Sequence, residues 1–181
     1  MSILLVVFYV VGGLVALVLL VGFTSPRVAR LKRSIEIAAS PGRVFPYLNN
    51  IRRFVEEWSP WTEKDPAAKH VFGEVVEGVG ARHSWEGEPK KVGSGSMEIR
   101  ESEADRRVKT HLSFKGRGEA DAGWTIEDLG GGRVRVTWDF EADNGMNPIG
   151  RIFGRMMDKF LGPDYEKGLA KLKSLCETAR P

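Results

Sequence analysis

Three histidines, one cysteine and a few carboxylates are the groups of this 181-residue chain with chemistry to offer. His70, His83 and His111 include no pair at metal-ligand spacing, and Cys176 stands alone, so no zinc site is expected. His83 shares its parity with Ala81 and Trp85. If those residues face an interior, the imidazole there is the one catalytic candidate, an acid or base for an aldol-type cyclisation. A histidine satisfied by its neighbours fits the same parity. His111 shares a face with Arg107 and Lys109, which points it at solvent. Glu119, Asp121 and Asp139 take the polar positions of their segments, and Glu86 and Glu88 sit in a turn, so no buried carboxylate pair is expected. Gly93-Ser94-Gly95-Ser96 lacks the Lys-Ser/Thr and the following helix of a phosphate cradle. No nucleophile elbow or dinucleotide fingerprint occurs, and no metal or cofactor is expected.

The elements that must position these groups follow from periodicity. Leu31–Ala38 reads as a first strand, with Ile35 and Ile37 alternating against Ser34 and Glu36. Ser40-Pro41 starts a helix, a hydroxyl cap followed by proline at the first helical position. Val44, Phe45 and Leu48 form its apolar face, and Pro46 should kink or shorten it. Another helical turn is expected near 52–58, and Trp61 falls on a proline-containing loop. From about Ala68 the period becomes two. Strands are predicted at 70–72, 81–86, 92–102, 106–115, 119–128 and 133–142, with glycine turns between the last three. One wet and one dry face describe an antiparallel sheet covered on a single side. Helical spacing returns after Ile149: a first stretch through Ile152, Phe153, Met156, Met157 and Phe160, a break at Gly162-Pro163, then a stripe of Tyr165, Leu169, Leu172, Leu175 and Cys176. The order predicts an α+β domain, a curved antiparallel sheet gripping its last helix.

Ahead of that domain, Ile3 through Phe23 carry no charge. As a helix they are about 31 Å long, close to the hydrocarbon thickness of a bilayer. Apolar side chains surround the helix, leaving no polar face for water. Length and flanks favour a retained transmembrane helix over a cleavable signal peptide or a core helix. The expected division is an anchor at 1–25, a basic juxtamembrane linker at 26–30 and a soluble domain at 31–181. Arg27, Arg30, Lys32 and Arg33 follow the apolar run, so the positive-inside rule puts the domain in the cytoplasm. A lone cysteine suits a reducing compartment and equally a periplasm without disulfides. The 27 basic residues include Arg27 and Arg30, leaving 25 against 24 acidic in the domain, or +1. That balance, interspersed along the chain, gives no footprint for nucleic acid. The basic excess collects in a collar that either attracts anionic lipid or only fixes topology.

Several segments carry a resemblance. Trp58-Ser59-Pro60-Trp61 follows a Val-Phe-x-x-Leu-Asn-Asn helix and precedes the Gly-x-Gly-Ala-x-x-Ser-Trp strand of Gly78–Trp85. Further on come Gly93-Ser94-Gly95-Ser96-Met97 and Gly162-Pro163-Asp164-Tyr165-Glu166-Lys167-Gly168-Leu169. Together they resemble the START-like (SRPBCC) superfamily, in its bacterial polyketide cyclase/dehydrase and lipid transport branch, some members of which are membrane-anchored. The resemblance spans about residues 31–178. It implies a helix-grip (START/Bet v 1-like) fold and a lipid, polyketide or quinone-like ligand. Pro46 departs from the branch, where a small or aliphatic helix former is expected.

A helix laid across a curved sheet leaves a cavity, the default small-molecule site. Trp58, Trp61, His83, Trp85, Met97, Leu112, Trp124 and Trp138 are the residues expected to border it, with Met156, Met157 and Phe160 as an adaptable lid. Each aromatic can equally be core filling. Burying a twelve-carbon chain is worth ~10 kcal/mol gross, and the bilayer offers the same chain a similar gain. Exchange between membrane and pocket is then nearly neutral, which suits a tethered carrier of a hydrophobic small molecule with membrane lipid as its partner. An aromatase/cyclase-like enzyme using His83 is the alternative reading. A protein-interaction or stress factor without a ligand is the third.

Overall fold

The computed structural model describes residues 2–178. Its apolar α1 (Ile3–Thr24) is followed within three residues by β1 (Val28–Ile37). The expected linker is therefore mostly strand, because Val28, Ala29 and Arg30 extend β1 along Asp143, Ala142 and Glu141 of the last strand. Next come α2 (Pro41–Asn49), α3 (Ile51–Arg53), a π-helical turn (Phe54–Trp58) and α4 (Pro60–Lys64). Six strands follow: β2 (Lys69–Phe72), β3 (Arg82–Glu86), β4 (Ser94–Glu103), β5 (Arg107–Phe114), β6 (Gly118–Gly130) and β7 (Arg133–Asp143). The described chain ends with α5 (Pro148–Arg155) and α6 (Met157–Thr178).

The seven strands form one antiparallel sheet in the order β1-β7-β6-β5-β4-β3-β2. Alternation sends Leu31, Ile37, Ile99, Val108, Trp124, Val136 and Trp138 to the inner face, all buried, while Lys109, Asp121 and Glu141 face outward. Register shifts at Ile99/Glu101 and Asp128/Gly130 mark where β4 and β6 bend. Gly95 permits a close approach: a Cβ there would lie 2.5 Å from the Ser113 carbonyl and 2.6 Å from the Trp85 ring.

Helix α6 crosses this concave face with Tyr165, Leu169, Leu172 and Cys176 buried against it. Its glycines set the fit. Gly168 faces the Trp138 ring, where a Cβ would come within 2.9 Å. The Arg33 guanidinium lies across Gly162, bonded at 2.8 Å to Asp158 and to Glu166, one turn to either side.

Three local expectations are corrected. The helical break falls at Met156 (φ −94°, ψ −1°), not at Gly162-Pro163, through which α6 continues. Gly162 has no Cβ to oppose the proline ring, which removes the steric objection to a helical residue before proline. Trp61 lies on α4 rather than a loop, because Pro60 serves as its first helical residue. The Ser40 hydroxyl does not cap α2; its carbonyl accepts from Arg43 and Val44 instead. The basic collar is largely neutralised, Arg27 by Asp143, Arg30 by Glu141 and Arg33 by α6.

Candidate functional site

A cavity of about 230 Å³ opens between the inner sheet face, α4, the π turn and α6. The π turn contributes Phe54 and Val55 to its wall. Ser59 N–H bonds five residues back to the Phe54 carbonyl at 2.7 Å, and Asn50 caps the preceding turn through Arg53 N–H. Phe54 and Trp58 of this turn are buried, and α4 follows at once with Trp61 in the cavity wall.

Of the residues expected at the site, Trp61, His83, Trp85, Met97, Leu112, Trp124 and Trp138 border the cavity. Trp58 does not. It is fully buried behind the lining, edge-on to Phe54, Trp124 and Trp138, with its indole N–H donated to the Tyr47 carbonyl. Met156 and Phe160 do not either. The break at Met156 turns both outward, and Met157 and Leu161 pack inward in their place.

The walls are mainly aromatic. Trp138 stacks on Tyr165 at 3.9 Å, and Phe54 meets Trp61 and Trp124 at 6.2 and 5.2 Å. The indole N–H groups of Trp124 and Trp138 are buried and find no acceptor in the protein. Each such donor costs about 1–3 kcal/mol unless something else accepts from it.

On the β2–β3 wall the sequence pattern had indicated one histidine, and the structure brings two. The register pairs Phe72 with His83 and His70 with Trp85, so all four side chains share the inner face. His70 Nδ1 and His83 Nε2 are 2.9 Å apart, and His83 is flanked by the rings of Phe72 and Trp85 at 5.1 and 5.7 Å. Burial drives the His83 pKa down to about 4, with the His70 charge adding to the effect. Burial also lowers the His70 pKa, against the opposing pull of Asp65 and Glu56. Both rings are therefore neutral at pH 7, one donating and the other accepting. The spacing of His70 and Phe72 signals a shared face. The pairing to β3 is set by the 73–81 connection and had no signal of its own.

Elsewhere, His111 lies on the outer face as its parity indicated, bonded at 2.8 Å to Asp121. Asp139 is also on that face but half-buried beside Lys32 and Lys109, and desolvation pushes its pKa up. Thr110 turns its hydroxyl to the Ala122 carbonyl inside the cavity wall. Among the described residues no three His, Cys, Asp or Glu side chains converge on a metal-sized site.

A curved sheet, a gripping C-terminal helix and an aromatic cavity between them match a known family. The family model described as polyketide cyclase / dehydrase and lipid transport covers residues 28–177. The chain belongs to that family. Among solved structures, the helix-grip fold recurs in protein CV1439 of Chromobacterium violaceum. It is 16% identical, with a TM-score of 0.51 over 84% of this chain and 98% of that one. Protein jhp0584 of Helicobacter pylori is 12% identical, with a TM-score of 0.60 over 84% and 89%. DynU16, from the dynemicin biosynthetic locus, is 19% identical, with a TM-score of 0.53 over 86% of this chain and 49% of its own. At these identities the likeness shows the fold alone. No curated protein matches. Family membership suggests hydrophobic ligand binding or a cyclase role, and fold by itself does not decide between them.

Proposed function

We propose that the chain is a membrane-tethered binding protein for a compact hydrophobic molecule bearing a polar acceptor or hydroxyl group. The cavity carries this reading: aromatic walls with one neutral imidazole pair among them. Its volume sets the guest's size. A protein cavity of about 150 Å³ holds benzene. One about half as large again suits a bicyclic ring system or a short chain rather than a whole acyl lipid.

Binding is favoured over catalysis by the same histidines. A general base works best when its pKa lies near the operating pH. His83, held near 4, is a poor proton acceptor at neutral pH but a good hydrogen-bond partner for a carbonyl or hydroxyl.

The anchor half of the proposal rests on α1, long and apolar enough to span a bilayer, with its side chains exposed along its length. Arg27, Arg30, Lys32 and Arg33, following the apolar run, support a cytoplasmic domain. Their later pairing in the fold does not weaken this, because acidic residues contribute little to the orientation rule. A C-terminal reporter active only outside the cytoplasm would refute the orientation.

Titrating the detergent-solubilised full chain with 1-naphthol, followed by tryptophan fluorescence, tests the pocket. Saturable quenching that is lost in Ala122→Leu, which fills the cavity wall, is expected. Equal quenching in both proteins contradicts the proposal.

A further inference from the structure

The apolar residues that turned away from the cavity form a surface of their own. Met146, Ile149, Phe153, Met156 and Phe160 are exposed by 73, 56, 59, 39 and 55% of their areas. They recur every three or four residues and carry one apolar stripe through α5, across the break at Met156, into α6. Arg155 and Lys159 are exposed beside it and form no ion pair among the described residues.

The stripe is continuous with the end of α1. Gly22, in the last turn of α1, is buried against Pro148, the first residue of α5, so closely that a Cβ would collide with it. The Arg151 guanidinium donates to the Gly145 carbonyl at 2.9 and 2.6 Å, reaches the Phe23 carbonyl at 3.5 Å and lies 5.8 Å over the Phe23 ring. Helix α5 therefore starts where the apolar segment stops.

The register carries the same end of the molecule to the cavity. Val28 of β1 pairs with Asp143, and Asp121 of β6 pairs with Glu141, so the turn before Gly118 lies at the sheet end where α1 enters. Phe114 pairs with Gly118 and Gly95 with Phe114, which brings the β3–β4 connection to that end too. Val92 and Arg117 of the cavity wall belong to these turns, Phe114 ends β5 beside them, and Leu161 follows Phe160 directly.

We infer that α5 and the first turn of α6 form an amphipathic foot lying in the lipid headgroup plane beside α1, holding the cavity's entrance against the bilayer. The stripe faces acyl chains, while Arg155 and Lys159 reach the phosphates. The inference rests on α1 being membrane-embedded, and a guest enters from the bilayer without crossing water.

The test uses the full chain in vesicles of phosphatidylcholine and phosphatidylglycerol, in a Cys176→Ser background. Nitroxide labels are placed at Phe153→Cys, Phe160→Cys, Arg155→Cys and, as an anchor control, Val10→Cys. Oxygen and a water-soluble nickel chelate then compete as relaxants. Labels at 153 and 160 should favour oxygen and lie about 5–10 Å below the phosphates, while the label at 155 favours nickel. Nickel access at 153 and 160 with the label at 10 still in lipid overturns the foot and leaves the anchor. Nickel access at all four positions removes the anchor as well. Exclusion of both relaxants at 153 and 160 means protein covers the stripe, as in a dimer, and also overturns the inference.

Discussion

His70 and His83 face each other across two strands, Nδ1 to Nε2 at 2.9 Å, and their shared hydrogen bond is the main polar feature in an aromatic wall. Register and burial act together here. β2 and β3 place both rings on the inner face, and the low-polarity surroundings hold both neutral.

That neutrality predicts a pH dependence. A group whose folded pKa is depressed adds stability above its unfolded pKa, and this is lost as pH falls toward the folded value. For His83 the window runs from 6.5 to about 4. Stability should fall by about 2 kcal/mol across it, less than the full shift because the ring keeps some contact with solvent. Glu63 and Asp143, held near 2 by Lys167 and by Arg27, lose their contributions only below the ordinary carboxylate range. Urea midpoints at about pH 7 and about pH 5 should differ clearly in the wild type and much less in His83→Phe. An identical difference in both proteins contradicts the assignment.

Two α6 glycines should respond differently to alanine. At Gly162 the new methyl would meet the flexible end of Arg33, 2.6 Å away, and the ring of Pro163, so a gain in helix propensity of up to about 1 kcal/mol is offset by the pre-proline clash and the loosened ion pairs. At Gly168 the obstacles are the Trp138 ring and Pro60, both packed, and overpacking there should cost about 1–3 kcal/mol. Thermal melts showing Gly162→Ala near wild type and Gly168→Ala several degrees lower are expected. The reverse order contradicts this account of the helix grip.

Trp61→Ala should weaken 1-naphthol binding while leaving the fold intact, because Trp61 is only partly buried and lines the cavity. Trp58→Ala should instead destabilise the protein by about 3–5 kcal/mol, since that side chain is fully buried behind the lining. Chemical denaturation of both variants, with naphthol titration of the first, separates contact with the guest from core filling.

Much of the sheet was legible because each strand writes its alternation directly into the sequence. Val134, Val136, Trp138 and Phe140 announce an inner face, and the glycine turns fix where β5 ends and where β6 and β7 begin. Most cavity residues drawn from the central strands followed by parity alone. Residues from helices were harder. Met156 and Phe160 share the period of Met157 and Leu161, and only the backbone break at Met156 decides which pair turns inward. Arg33 reads as part of a basic collar, yet sits at an inner-face position and bonds to α6 across a gap of more than a hundred residues. Its partners Asp158 and Glu166 flank Gly162 at helical spacing, a pattern visible only once the helix is known to run through Pro163. His70 was hidden for a similar reason, since the register that joins it to His83 depends on a long connection.

Native mass spectrometry of the full chain, extracted from membranes in mild detergent, tests the central claim most directly. The account predicts a reproducible added mass matching one compact hydrophobic molecule, present in the wild type and absent from Ala122→Leu. A wild-type protein that stays empty, even after incubation with a total membrane lipid extract, contradicts it.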